Sequence, residues 1–153
     1  MRIEININEL KFDIRNKSHL DVSSISDAEA RYRAEAGTEK MDEVERCIIN
    51  AASSLATLVQ DYLHPDFTAT GTNGATLPQI LVYELMFSER RQSGKAKPLA
   101  AAMHSYLVNM TLFIFYQSVG QVDIANKRNA LAASDAAVIT NLVYSKMPPL
   151  FTR

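Results

Sequence analysis

Asp61, His64 and Asp66 stand close together in the chain, and one imidazole with two carboxylates is a donor set able to hold a divalent metal. Two of the three fall on the turn after a helix, with no neighbour in sequence to orient the imidazole. They read instead as the polar surface of a helix end. His19 lies in a connector and His104 beside an apolar stripe, where a hydrogen-bonded boundary histidine is the ordinary finding. A three-histidine site assembled from such distant positions has no local pattern behind it, so no metal and no cofactor is expected.

Two glycine-containing stretches, Gly71-Thr72-Asn73-Gly74 and Gly94-Lys95-Ala96-Lys97, invite comparison with phosphate loops. Neither follows a strand or has the GxxxxGK[ST] spacing that aims backbone amides at a phosphate. The basic residues Arg90, Arg91, Lys95 and Lys97 form a candidate polyanion contact, with nucleic acid as the partner. The alternative is that they stay hydrated and oppose a helix dipole. Phe113, Phe115 and Tyr116 have the spacing of core aromatics on an apolar helix. Cys47 stands alone, so no intrachain disulfide can form, and beside Ile48 a free thiol acts as a small hydrophobe. No acid pair, Ser/His/Asp set or Cys/His pair converges on one surface, and no catalytic residue is assigned.

The elements that must carry these residues are mostly helical. Residues 41–63 place Met41, Val44, Ile48, Ala51, Ala52, Leu55, Leu58, Val59, Tyr62 and Leu63 on one stripe, opened by Asp42, Glu43 and Glu45 and closed by His64-Pro65. Such a helix is about 35 Å long and needs partners. Ser26-Asp27-Ala28-Glu29 has the form of a capping box and predicts a helix over residues 26–37, with a break or kink before a helix over 39–63. Pro78 before an all-round apolar run predicts a third helix over 78–91, expected to be the most buried. Pro98 and the stripe Leu99, Met103, Tyr106, Leu107, Met110, Phe113 and Ile114 predict a fourth over 98–119. Residues 121–133 are ambiguous, and a last helix is expected over 134–147, from Ser134 to the Pro148-Pro149 stop. Residues 64–77 read as the longest loop.

Residues 2–15 alternate in two blocks, Ile3, Ile5, Ile7 and then Leu10, Phe12, Ile14, out of phase at Asn8-Glu9. A hairpin turning there would put all six on one face; a single bulged strand is the alternative. The expected fold is therefore mainly α: a helical bundle of four to five helices over residues 26–147, with a short N-terminal β-hairpin or β arm over 1–15 and a tail over 148–153, in one domain. Ile3, Ile5, Ile7, Leu10, Phe12 and Ile14, with Leu150 and Phe151 of the tail, are the candidate protein interface. The arm's apolar face needs cover from its own helices or from another chain.

An apolar fraction of 47%, a charged fraction of 22% and a net charge of −1 are those of an ordinary globular domain, without general attraction to nucleic acid or anionic lipid. Absence of a signal-like start or of a run near the roughly 18 apolar residues of a membrane span implies an intracellular, cytoplasmic protein with no membrane partner. A β arm, RIEININELKFDI, followed by four or five helices, a long polar loop, HPDFTATGTNGATL, and the tail PPLFTR resembles the small helical head-tail connector and neck subunits of tailed phages. That resemblance implies a virion protein that forms a ring of identical subunits, contacts other structural proteins through arms and loops, and performs no catalysis. The functional expectation is a non-enzymatic structural and assembly protein working as a homo-oligomer. The alternatives are a small intracellular helical module that binds a ligand or nucleic acid, and an enzyme without a recognisable motif.

Overall fold

A computed structural model describes residues 1–64, 77–87 and 94–144. Strand β1 (Arg2–Asn6) leads into helix α1 (Ile7–Val22), followed by α2 (Ala28–Ala34), α3 (Met41–Leu58), strand β2 (Ile80–Glu84), α4 (Ala96–Ser118) and α5 (Val122–Tyr144). Short 3-10 turns, Thr38–Lys40 and Gln60–Tyr62, flank α3. The mainly helical fold with an N-terminal β arm agrees with the sequence expectation.

The arm's pairing does not. β1 runs antiparallel to β2, with Arg2 opposite Glu84, Ile3 opposite Tyr83 and Ile5 opposite Leu81, and residues 7–22 are helix, so the strand has no hairpin partner at residues 10–14. The physical reason is a cap. Asn6 keeps an extended backbone while its side-chain oxygen accepts from the amides of Asn8 at 2.9 Å and Glu9 at 3.2 Å, which starts a helix where a turn was expected. From there Ile7, Leu10, Ile14, Ser18 and Val22 recur at helical spacing and are buried, while Phe12 points outward, 55% exposed.

Residues 80–84 are the second departure, because this segment is a strand and the most buried helix is α4. Leu81, Tyr83 and Leu85 turn inward and Ile80 outward, the period of two that half-covered strands show. An all-round apolar run does not distinguish the two periods, and pairing with β1 decides. The remaining differences lie at boundaries. The α2 cap is Asp27 rather than Ser26, accepting from the Glu29 amide at 3.1 Å. α2 and α3 are separate, and the Lys40 ammonium closes α2 by donating to the carbonyls of Tyr32, Arg33 and Glu35. Residues 122–144 form one helix instead of an ambiguous stretch and a helix from 134.

α4 is the centre. It packs against α3, α5, α1 and β1, and Leu99, Met103, Leu107, Leu112, Phe115 and Tyr116 are fully buried along it. By length and composition α4 is apolar enough to cross a membrane, contrary to the sequence reading, and 56% of its most apolar window is buried inside this fold. Polar ties fix the elements around it: Lys11 of α1 pairs with Glu45 of α3, Tyr83 Oη donates to the Ala52 carbonyl at 3.0 Å, and Tyr144 Oη to the Leu58 carbonyl at 3.1 Å. Tyr62 stacks at tilted angles on Phe87 and Tyr144, with ring centroids 5.0 and 5.2 Å away.

Ile3 and Ile5 are 2% and 3% exposed, so β1 is part of the core. Ile5→Ala is expected to lower unfolding stability by about 2–5 kcal/mol, and deletion of residues 1–6 to abolish the cooperative melt. A truncated chain that melts as sharply as the full one by circular dichroism would show that the strand is dispensable.

Candidate functional site

The polar side chains that the fold gathers lie along α4, between α1 on one flank and α5 on the other. α4 is apolar nearly all round, so polar residues on it call for partners from its neighbours, and among the described residues the buried Thr111 hydroxyl is left without one. His104 Nε2 lies 2.7 Å from Asp13 Oδ2 of α1. One position on, Ser105 Oγ donates to Asp135 Oδ2 of α5 at 2.8 Å, and Asn109 Nδ2 donates to the same oxygen at 2.7 Å. Further along, Asn109 Oδ1 accepts from Arg128 at 2.9 Å. The Arg128 guanidinium grips Asp21 of α1 through two nitrogens, at 2.5 and 2.7 Å, and Tyr116 Oη donates to Asp21 at 2.9 Å.

Geometry and burial decide what this chain of groups can do. The Arg128 and Asp21 side chains are 12% and 17% exposed, and their two-pronged contact is the arrangement in which a partly buried ion pair recovers its desolvation cost. Burial, with the Asp21 carboxylate nearby, pushes the Tyr116 phenol far above its ordinary value and keeps it a neutral donor. Asp135 receives two donors, and Asp21 three. Their lone pairs are thereby engaged in binding α1, α4 and α5 together. Periodicity hid this set: Ser105 and Asn109 interrupt an apolar helix, and Asp135 and Arg128 sit seven residues apart on α5, a pairing readable only as polar positions on otherwise apolar faces.

The other sequence candidates fall as follows. Ile3, Ile5, Ile7, Leu10 and Ile14 of the candidate interface are covered by the chain's own core, and Phe12 stays on the surface. No second chain is needed to bury the five. Leu150 and Phe151, Arg90 and Arg91, Asp66 and the Gly71–Gly74 stretch lie outside the described residues. Lys95 Nζ donates to the Leu142 carbonyl at 2.9 Å, while Lys97 is exposed, so the described half of the basic cluster is not a matched pair. Asp61 and His64 are exposed on either side of Tyr62 and Leu63. Among the described residues no group of three His, Cys, Asp or Glu side chains could hold a metal ion. Phe115 and Tyr116 are buried and Phe113 partly so, in keeping with core aromatics.

Surface hollows lie elsewhere than the polar chain. One of about 440 Å³ is lined by Asn8, Glu9, Phe12 and Asp13, and one of about 310 Å³ runs from Phe12 to His19, Glu35 and Thr38. Asp13 belongs both to the first of these hollows and to the polar chain. Cys47 is 8% exposed, and burial, reinforced by Glu43, pushes its thiol up to about 11.

Two outcomes follow from these contacts. Arg128→Leu leaves Asp21 without its cation and is expected to cost about 3–5 kcal/mol, whereas the double variant Arg128→Leu/Asp21→Leu recovers much of that in chemical denaturation. An additive double variant would show that the pair is not coupled. At pH 8 native Cys47 is expected to resist iodoacetamide and to react once the chain is unfolded in urea, since the folded thiol gains its charge only near pH 11; equal native and unfolded rates would contradict that.

No family model matches the chain, and no curated protein or solved structure matches it either, so the functional reading rests on this geometry.

Proposed function

We propose that this chain is a non-enzymatic assembly subunit that works as a homo-oligomer, in the manner that its resemblance to phage connector and neck subunits implies. The observation that carries the reading is the outward face of α5. From residue 129 to 144 the one charged residue is Asp135, and its carboxylate is bound to Ser105 and Asn109. The face left to solvent is Asn129, Ala130, Leu131, Ala133, Ser134, Ala137, Val138, Thr140 and Asn141, without a charge. Surfaces that stay in water ordinarily carry charges of both signs throughout, and an uncharged helix face of this length departs from that.

Leu131 and Val138 are each 48% exposed, and with half-buried Ile124 they recur every seven residues. That is the period of one helix packing along another. Small alanines beside them let a second backbone approach closely. The matching occupant is another uncharged helix face, and a further copy of this chain supplies one. Groups that elsewhere perform catalysis are here bound to one another, which favours a role in contact over a role in chemistry.

Sedimentation velocity over a concentration series tests this reading. Association should grow with concentration, and Leu131→Lys/Val138→Lys should weaken it by on the order of tenfold or more without lowering the melting temperature, because both positions are half exposed. A strict monomer at every concentration would remove the proposal.

A further inference from the structure

The strand β1 has one edge that no strand among the described residues pairs with. Met1 and Leu85 exchange both backbone hydrogen bonds, and the Ile7 amide donates to the Gln79 carbonyl at 2.9 Å, so residues 1, 3 and 5 direct their amides and carbonyls, and Ile7 its amide, to β2. Asn6, as the cap of α1, gives its carbonyl to that helix, and by the alternation of an antiparallel ladder the amides and carbonyls of Arg2 and Glu4 point away from β2. Among the described residues no backbone group meets them. The corresponding outer edge of β2 is treated differently. There the Glu84 carbonyl accepts from the His64 amide and the Met86 amide donates to the Tyr62 carbonyl.

We infer that the outer edge of β1 pairs antiparallel with the same edge of a second copy, with Arg2 opposite Glu4 of the other chain, to form a four-stranded sheet in the order β2-β1-β1-β2. This rests on the reading of the chain as a homo-oligomeric subunit and names one of its contacts.

Charge selects both the occupant and the register. Edge strands are ordinarily kept apart by charges of one sign, which repel a second copy. β1 carries Arg2 and Glu4 two residues apart, on the same solvent-facing side of the pleat and 58% and 53% exposed. Read against itself in reverse with the two-fold axis at Ile3, the strand puts each arginine opposite a glutamate in a hydrogen-bonded pair, where side chains on one face are neighbours. Shifting the axis to Glu4 would instead set Glu4 against Glu4 and Arg2 against Asn6. The pairing is self-complementary in the first register and repulsive in the second. Within one chain Arg2 already reaches Glu4 at 2.8 Å and Glu84 at 3.5 Å, so a second carboxylate joins an existing cluster. On the opposite face Ile3 of each copy would meet at the axis and join the two cores.

The test uses full-length chains carrying Arg2→Glu or Glu4→Arg. Alone, each sets like charges opposite each other across the axis and should weaken self-association by on the order of tenfold, read by sedimentation velocity. Mixed in equal amounts they are complementary at both positions, and native mass spectrometry should show a heterodimer at wild-type concentrations. Because both positions are exposed, each variant should keep the wild-type melting temperature. Wild-type association unchanged in both single variants, or weakened in both but not restored on mixing, overturns the edge pairing while leaving the oligomeric reading in place. A wild type that never associates overturns both.

Discussion

A helix that is apolar on every side has to be covered on every side, and α4 imposes that condition on the whole chain. Its 23 residues, Ala96–Ser118, present no continuous polar stripe to water. A single amphipathic neighbour covers about a third of such a surface. α3, α5, α1 and β1 therefore divide its circumference among them. The two-stranded sheet, marginal by itself, is held because Ile3, Ile5, Leu81 and Tyr83 are buried in the common core, with β1 packed against α4. In the same way the start and the middle of the chain are brought together, since β1 closes on a strand nearly eighty residues further on.

Apolar packing of this kind is tolerant of sliding, and the polar chain along α4 sets the register. Arg128 cannot leave Asp21, nor Asp135 leave Ser105 and Asn109, without exposing an unpaired group in a partly buried site. Three helices are thus aligned by hydrogen bonds whose geometry admits one offset. The described surface includes an uncharged helix face on α5 and outward backbone groups on β1.

The helical class was legible because α3 and α4 carry long stripes at helical spacing, which few other structures reproduce. Residues 7–15 were misread because Ile7, Leu10 and Ile14 satisfy a helical stripe and Leu10, Phe12 and Ile14 an alternating one; the Asn6 cap with Glu9 three residues on was the discriminating signal. Residues 80–84 could not be settled locally, since their strand character comes from β1, far away in sequence. The paired polar residues were illegible for the same reason: Asp21 and Arg128 meet across 107 positions, and nothing near either announces the other. Five of the arm's six apolar residues are covered, Phe12 being exposed, and the cover comes from within the chain.

The central claim is that β1 belongs to the core and has one edge unpaired among the described residues. Residue-resolved hydrogen exchange measures both halves at once. The account predicts that the amides of Ile3 and Ile5, paired with β2, are protected to the level of the α4 amides at every protein concentration, while those of Arg2 and Glu4 become protected only as concentration rises. Exchange of Ile3 and Ile5 as fast as Arg2 and Glu4 in dilute solution would mean that the strand is an unattached arm, and would contradict it.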